Sequence, residues 1–429
     1  MKHYDVVICG GGVIGSAVAF ALSRNRDLNI ALVDIKKPGN ASRASAGGLW
    51  AMGESTGLGC GVILFKTLSK QLREGGEVSD ISDMKPHIMP KPFFDLAMMS
   101  NTMYPALNQE LLEKHGVDMK YEKTGLKFVL FDQYDRIYAE HIAAAVPDRQ
   151  QHIRWLDKAT LLNEEPNIAP DAIGAMEFDT DHQINPYRLN DAYVEAARQN
   201  GVDLYLNTSI TGIERQGHRV TGVQTSRGKL SAGMVINAAG AWAEQINLWA
   251  TGMQMPVFPV KGQVLVSEKM PKILNSCITT SDCYIAQKDN GEILIGSTTE
   301  ECGYDTSTDL SQLKSLARGA MKTIPQLRDM NIKRCWAGLR PGSPDELPIL
   351  GPVPGIDGYL TACGHFRTGM LTSAITGKLL NELVRGEPTS VDITPFLFER
   401  FLDDRIRGTD TAYKHGLKGQ TQDLRADAD

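Results

Sequence analysis

The chain opens on a buried-strand pattern, Tyr4-Asp-Val-Val-Ile-Cys9, apolar but for Asp5, followed by three glycines and then by a stretch from Val13 to about Asn25 with apolar residues at helical spacing. A second apolar run, Asn29-Ile-Ala-Leu-Val-Asp34, comes after a short loop. Short apolar runs bounded by turn residues are strands buried on both faces, and a helix between two of them predicts the βαβ opening of a parallel sheet. From Gly53 to Phe94 the pattern becomes irregular, with Gly57, Gly59, Gly61, Pro86, Pro90 and Pro92 around one helical stretch expected over Val62 to Leu72. A helix from Ser100 to Lys114 then leads to a strand pair around Tyr121 to Phe131.

Asn185-Pro186 reads as an N-cap followed by proline at the first helical position. Leu189, Ala192, Tyr193, Ala196 and Ala197 fall on one face of that helix, and Gly201 ends it. Short β runs alternate with turns from Val202 to Val235 and close on Met234-Val-Ile-Asn237. Residues 257–299 are strand-rich, with Asn290-Gly291 as a hairpin turn. The last helix, Gly369 to Val384, directs Leu371, Ala374, Ile375, Leu379 and Leu383 to a core. Beyond Phe401 the tail is polar and charged, a composition without apolar surface to bury.

At 429 residues there is room for two domains or one large interleaved fold. The net charge of −6 removes any electrostatic case for nucleic acid as a partner. The seven cysteines, at 9, 60, 277, 283, 302, 335 and 363, are odd in number and form no CxxC pair. That argues against a disulfide framework or a structural metal site, and for a reducing compartment. The apolar segment Tyr4 to Ser23 has the length of an anchor, but its glycines and Asp5 make it strand, turn and helix, so membrane association is expected to be peripheral.

Gly10-Gly-Gly12-Val-Ile-Gly15 matches G-x-G-x-x-G directly after a strand and at the start of a helix. In such a turn the first glycine permits the bend, the second admits a pyrophosphate, and the third allows close helix packing. Gly10, Gly12, Val13, Ile14 and Gly15 are therefore candidate dinucleotide contacts, and Asp34, at the end of the next strand, is placed to accept a ribose hydroxyl. The motif alone does not separate FAD from a nicotinamide dinucleotide.

Three later segments favour FAD. The small-residue loop Ala41 to Leu49 offers Ser42, Arg43, Ser45, Ala46 and Gly47 to an extended cofactor. Val235-Ile-Asn-Ala-Ala-Gly-Ala-Trp242 brings Ala238 and Gly240 to a second backbone approach. Gly364-His-Phe-Arg-Thr-Gly369 precedes a helix, so that Gly364, Arg367, Thr368, Gly369 and Met370 would set a helix N-terminus against developing negative charge on a flavin.

Together these segments resemble the D-amino-acid oxidase, glycine oxidase and sarcosine oxidase superfamily of flavoproteins over residues 1 to about 400. The resemblance implies an α/β fold in which an FAD-binding Rossmann-like domain (1–92, 183–246 and 333–400) is interleaved with an antiparallel-sheet α+β substrate domain (93–182 and 247–332), with 401–429 as a polar tail. Arg43-Ala-Ser-Ala-Gly-Gly-Leu-Trp50, Glu54-Ser-Thr-Gly-Leu-Gly-Cys-Gly-Val62, the run from Cys283 to Thr299 and the run from Trp336 to Gly351 look closest to one branch. That branch holds the flavoprotein subunits of bacterial hydrogen cyanide synthases, with opine oxidase and D-hydroxyproline dehydrogenase subunits as sisters.

The implied reaction is FAD-dependent oxidation of glycine to cyanide and carbon dioxide through an imine. The implied partners are a second flavoprotein and an iron–sulfur subunit, in a complex on the cytoplasmic side of the membrane. The sister branches leave a D-hydroxyproline, opine or D-amino-acid dehydrogenase subunit as alternatives, and a non-catalytic flavoprotein relay as another. By the same resemblance Arg340 holds the substrate carboxylate, Tyr284 closes over it, and His365 and Arg367 flank the flavin. Arginine suits the first task because its planar fork matches a carboxylate. Residues 41–49 contain neither histidine nor cysteine, so FAD is expected to be non-covalent, although Cys363 and His365 adjoin the C-terminal turn. Lys261 is read either as a neighbour of the flavin or as an exposed strand-end lysine.

Overall fold

The computed structural model describes residues 2–58 and 85–402. Two eight-stranded sheets carry the fold. In the first, His3–Cys9 lies between Ile30–Asp34 and Gly228–Asn237 and runs parallel to both. Asp203–Leu206 and Tyr359–Cys363 extend this parallel core on its two sides. Val7, Ile8, Cys9, Ala31 and Leu32 are fully buried, as consecutive apolar residues demand of strands covered on both faces. Ile210–Gln216 and Arg219–Thr225 fold back as antiparallel hairpins onto Gly228–Asn237, and Ile349–Pro352 caps the far edge.

The helix Val13–Ser23 is buried around almost its whole circumference, under the sheet and against the helices Pro186–Gln199 and Gly369–Arg385. Gly377 makes the last of these contacts close, since a Cβ there would lie 2.8 Å from the Ala17 carbonyl oxygen. The Asn185 side chain accepts the Arg188 N–H at 3.3 Å, with Pro186 in the first turn. Both features match the cap read from the sequence.

The second sheet runs, in spatial order, through Ile332–Gly342, Phe258–Ser267, Ile293–Gly296, Tyr284–Gln287, Cys277–Thr279, Leu126–Leu130, Gly174–Phe178 and Ile153–Asp157. The hairpin at Asn290-Gly291 joins two of these strands, and Gly291 takes the left-handed conformation (φ 88°) that the turn requires. Residue 333, taken as the start of the third FAD-binding segment, falls inside Ile332–Gly342, which pairs along its length with Phe258–Ser267. The chain thus returns to the first sheet only after Gly342.

Several elements differ from the sequence reading, among them the helices Gln133–Ala145 and Ala243–Thr251, which it did not give. The helix expected from Ser100 begins at Lys91 and runs to His115, because Pro90 caps it and Pro92 sits in its first turn, where a missing N–H costs nothing. Only Leu126–Leu130 of the expected 121–131 pair is strand, and its partners come from far away in the chain. A further helix, Leu310–Thr323, starts at the Asp309 cap, whose carboxylate accepts the N–H groups of Ser311 and Gln312. The helix expected over 62–72 lies outside the described residues.

Candidate active site

An elongated cavity of about 680 Å³ runs along the carboxyl ends of the first sheet's strands and then under one face of the second sheet. Its first end is made of backbone. Gly10 (φ 113°) turns the chain out of the strand while its N–H donates to Val33 O, and a Cβ there would meet the Ala238 carbonyl oxygen at 2.4 Å. Gly15 allows the helix to sit on the turn, since its Cβ would lie 1.8 Å from Gly10 O. Ser42 reaches the helix N-terminus, where its Oγ accepts the Val13 N–H at 2.9 Å. Asn40 holds that loop by accepting the N–H groups of Ser42 and Arg43. Asp34 takes the Gly11 and Lys36 N–H groups on its carboxylate while lining the cavity.

Of the residues expected to hold the dinucleotide, Gly10, Gly12, Val13, Ile14, Asp34, Ser42, Ser45, Ala46, Ala238, Gly240, Arg367, Gly369 and Met370 line the cavity. Five do not. Gly15 packs behind the turn, and Gly47 (φ 77°) lies against the Ile184 carbonyl. Arg43 is exposed, Gly364 (φ 71°) shapes the turn against Ile349, and Thr368, the residue before the last helix, donates its hydroxyl to His365 O. These are supports for the wall rather than the wall itself.

The second end is made of side chains from distant strands. In the pairing of Phe258–Ser267 with Ile332–Gly342, Val260 faces Arg340 and Gly262 faces Gly338. Pairing continues from Val264 to Gly296 and from Gly296 to Tyr284. Alternation along each strand then puts Arg340, Gly338, Gly262, Val264, Gly296 and Tyr284 on one face. The Arg340 guanidinium lies over Gly262, where a Cβ would come within 2.2 Å of both terminal nitrogens. It donates to Ser297 Oγ at 2.7 Å and to Thr298 O at 3.1 Å. The Tyr284 ring covers Gly296, whose Cβ would meet the hydroxyl at 2.5 Å, and meets Trp50 edge-on at 5.4 Å. Burial raises the Tyr284 hydroxyl above its ordinary pKa, against the pull of Arg340 and of Ser297. It is a hydrogen-bond donor at neutral pH.

Arg340, Tyr284, His365 and Arg367 all border this cavity. His365, however, is 1% exposed and shares a 3.1 Å hydrogen bond between its Nε2 and Thr376 Oγ1. Burial pushes its pKa down to about 3, so the ring is neutral and tied into the last helix. Arg367 pairs with Glu54 at 3.2 Å and stacks on Phe366. Lys261 neither lines the cavity nor is exposed. It is buried on the opposite face of its strand, paired with Asp305 at 2.8 Å and with Glu300 at 3.4 Å.

Sequence reasoning passed over Glu54, Trp50, Ser297 and the strand glycines 262, 296 and 338. The glycines carried a usable signal, because glycine inside a strand marks a close approach. Gly338 shows it again, as its Cβ would lie 2.2 Å from the Ala44 Cβ of the cofactor loop. The strand bearing Arg340 thus touches the cofactor loop directly, with the Leu339 N–H donating to Gly39 O at 2.8 Å.

A glycine-turn cradle that opens lengthwise onto an arginine and a tyrosine fits FAD, whose dinucleotide part lies along backbone and whose ring reaches a second domain. The family model for FAD dependent oxidoreductases (DAO) matches residues 5–383, and the chain belongs to that family. It is an FAD-dependent oxidoreductase of the glycine oxidase fold. Within the family, the chain is 59% identical over 404 residues to the hydrogen cyanide synthase subunit HcnC of Pseudomonas protegens, covering 94% of this chain and 97% of that protein. The HcnC subunit of Pseudomonas aeruginosa is 58% identical over 93% of this chain and 97% of its own length. The crystal structure of glycine oxidase from Geobacillus kaustophilus superposes with a TM-score of 0.81 at 28% identity, over 93% of this chain and 99% of that one.

Proposed function

We propose that the protein oxidises glycine to hydrogen cyanide and carbon dioxide through an imine, as the amino-acid-oxidising subunit of a hydrogen cyanide synthase. FAD, when bound, supplies the acceptor for hydride from the substrate Cα. One observation carries the reading: the Arg340 guanidinium, laid flat over Gly262, is presented to the same cavity that the glycine turn opens.

The roles of the side chains follow from their chemistry. Arg340 holds the substrate carboxylate in a charge-assisted, two-pronged contact, and the protonated Tyr284 hydroxyl donates to the same group. Ser297 and Thr298 O fix the guanidinium on its other side, so that little reorganisation is required when substrate arrives. Trp50 and Tyr284, in edge-to-face contact, leave this end of the cavity to a substrate with little or no side chain. No strong protein base is required if the amine loses its proton before the hydride departs, and the neutral, hydrogen-bonded His365 is not placed to be one. A carboxylate pinned by Arg340 is also held in position for its later loss as carbon dioxide.

The names of the 59% and 58% identical relatives support the assembly reading, in which this chain works with partner subunits. A second flavoprotein and an iron–sulfur subunit on the cytoplasmic face of the membrane are the partners proposed. Among the described residues no helix is long and apolar enough to cross a membrane. FAD is proposed to be held non-covalently, as Cys363 is buried with its thiol on the Met255 sulfur rather than in the cavity. The domain division along the two sheets is part of the same proposal.

The test is anaerobic mixing of the purified flavoprotein with glycine and, separately, with D-hydroxyproline, followed by cyanide trapping after co-expression with the candidate partners. Glycine should bleach the flavin absorbance and the assembled complex should release cyanide. Bleaching by D-hydroxyproline alone would transfer the protein to the sister branch.

A further inference from the structure

The cavity has a negative pole that neither the dinucleotide cradle nor the carboxylate clamp requires. Glu54 lines it, with its side chain only 14% exposed and Oε2 buried. The carboxylate is fixed in place from below. It stands on the short helix Ala51–Ser55, whose Met52 and Gly53 N–H groups donate to the fully buried Asp181 carboxylate at 2.9 and 2.7 Å. Trp50, at the start of the same helix, touches Tyr284. The charges of Glu54 and of Arg340 act on Tyr284 with opposite sign, the first raising and the second lowering the affinity of its hydroxyl for the proton. Glu54, Tyr284 and Arg340 all line the same cavity.

We propose that Glu54 receives the amino group of the substrate, so that a small amino acid spans the cavity from Glu54 to Arg340. The inference rests on the amino-acid reading given above. It adds the element that distinguishes amino acids from other carboxylates, because Arg340 and Tyr284 alone would accept acetate or glycolate equally well. A carboxylate accepts hydrogen bonds only, so it rewards an N–H donor and repels a second carboxylate. Arg367, 3.2 Å away, offsets the Glu54 charge. The amine can then give up its proton without an uncompensated negative charge beside it holding that proton in place. Glu54 is in this sense the specificity-determining partner of Arg340.

The experiment uses the flavin-loaded protein, chemically reduced and kept anaerobic so that no turnover occurs, and titrates it by calorimetry with glycine and with acetate. In Glu54→Gln the dissociation constant for glycine should rise about tenfold or more, the effect of losing a hydrogen bond to a charged group, while acetate stays within about twofold of the wild type. An unchanged glycine affinity, or equal losses for both ligands, overturns the role given to Glu54 and leaves it as a structural mate of Arg367. If Glu54→Gln does not retain FAD, the same two titrations on Glu54→Asp decide the matter. That variant keeps the charge but shortens the reach, and only glycine should weaken. A wild-type protein that binds neither ligand would overturn the amino-acid reading itself, an outcome separate from the others.

Discussion

The two ends of the cavity solve the same problem with different materials. At the cofactor end, recognition is done by the main chain: a turn, a helix N-terminus and a serine hydroxyl, drawn largely from residues 10–46. At the proposed substrate end it would fall to side chains on four strands that lie between residues 258 and 342, with the glycines Gly262 and Gly296 beneath them. Backbone recognition tolerates no added atoms but little depends on which apolar residues surround it. Side-chain recognition depends on single charges. The first end should therefore fail by losing the cofactor, and the second by losing affinity and rate while the cofactor stays bound.

The sharpest break is Gly15→Val. Even a Cβ at this position would lie 1.8 Å from Gly10 O, so the protein should purify colourless or not fold, as absorbance spectra would show. Arg340→Met should leave the flavin spectrum intact and lower kcat/KM for glycine by about 100- to 1,000-fold, the usual consequence of truncating one member of a desolvated charge pair. Gly262→Ala tests the same end without touching a charge. The new methyl displaces the guanidinium, and KM should rise about tenfold with FAD retained. If Gly262→Ala instead released FAD, the division between the ends would be wrong.

A smaller effect concerns pH. His365 is held neutral, with its pKa near 3 against an ordinary 6.5, so the unfolded chain takes up a proton that the folded one refuses. Stability is complete above about pH 6.5 and falls on acidification by up to about 1.4 kcal/mol per pH unit until the folded pKa is reached. Denaturant titrations across this range should show the slope, and His365→Asn should reduce it. No limb in kcat/KM near pH 6.5 should disappear in that variant. The smallest effect is expected from Asp181→Asn, which loses one of two N–H acceptors at the Ala51–Ser55 helix and should cost about 1 kcal/mol.

The same contrast explains what was legible in the sequence. The cofactor end is local, with strand, turn, helix and acid within Tyr4 to Asp34, and periodicity placed each of them. The last helix was equally clear, since Leu371, Ile375 and Leu379 repeat at one turn's spacing and all are buried. The substrate end depends on register between strands, which no pattern within one strand reports. Arg340 and Tyr284 were given roles through resemblance, whereas Glu54 stood in a matching segment without one, because its position depends on a cap from Asp181, more than a hundred residues later in the chain. Lys261 shows the hazard of proximity in sequence. It stands next to Gly262, yet alternation along the strand sends it to the acidic loop at 300–305.

Gly262 also has a meaning for descent with modification. As long as the anchor at 340 lies flat on bare backbone, the two positions must change together or not at all. Any side chain at 262 would have to raise the guanidinium from the strand or displace it. One hydrogen atom in place of a methyl group at 262 is what leaves room for the guanidinium, and with it for the carboxylate contact proposed above.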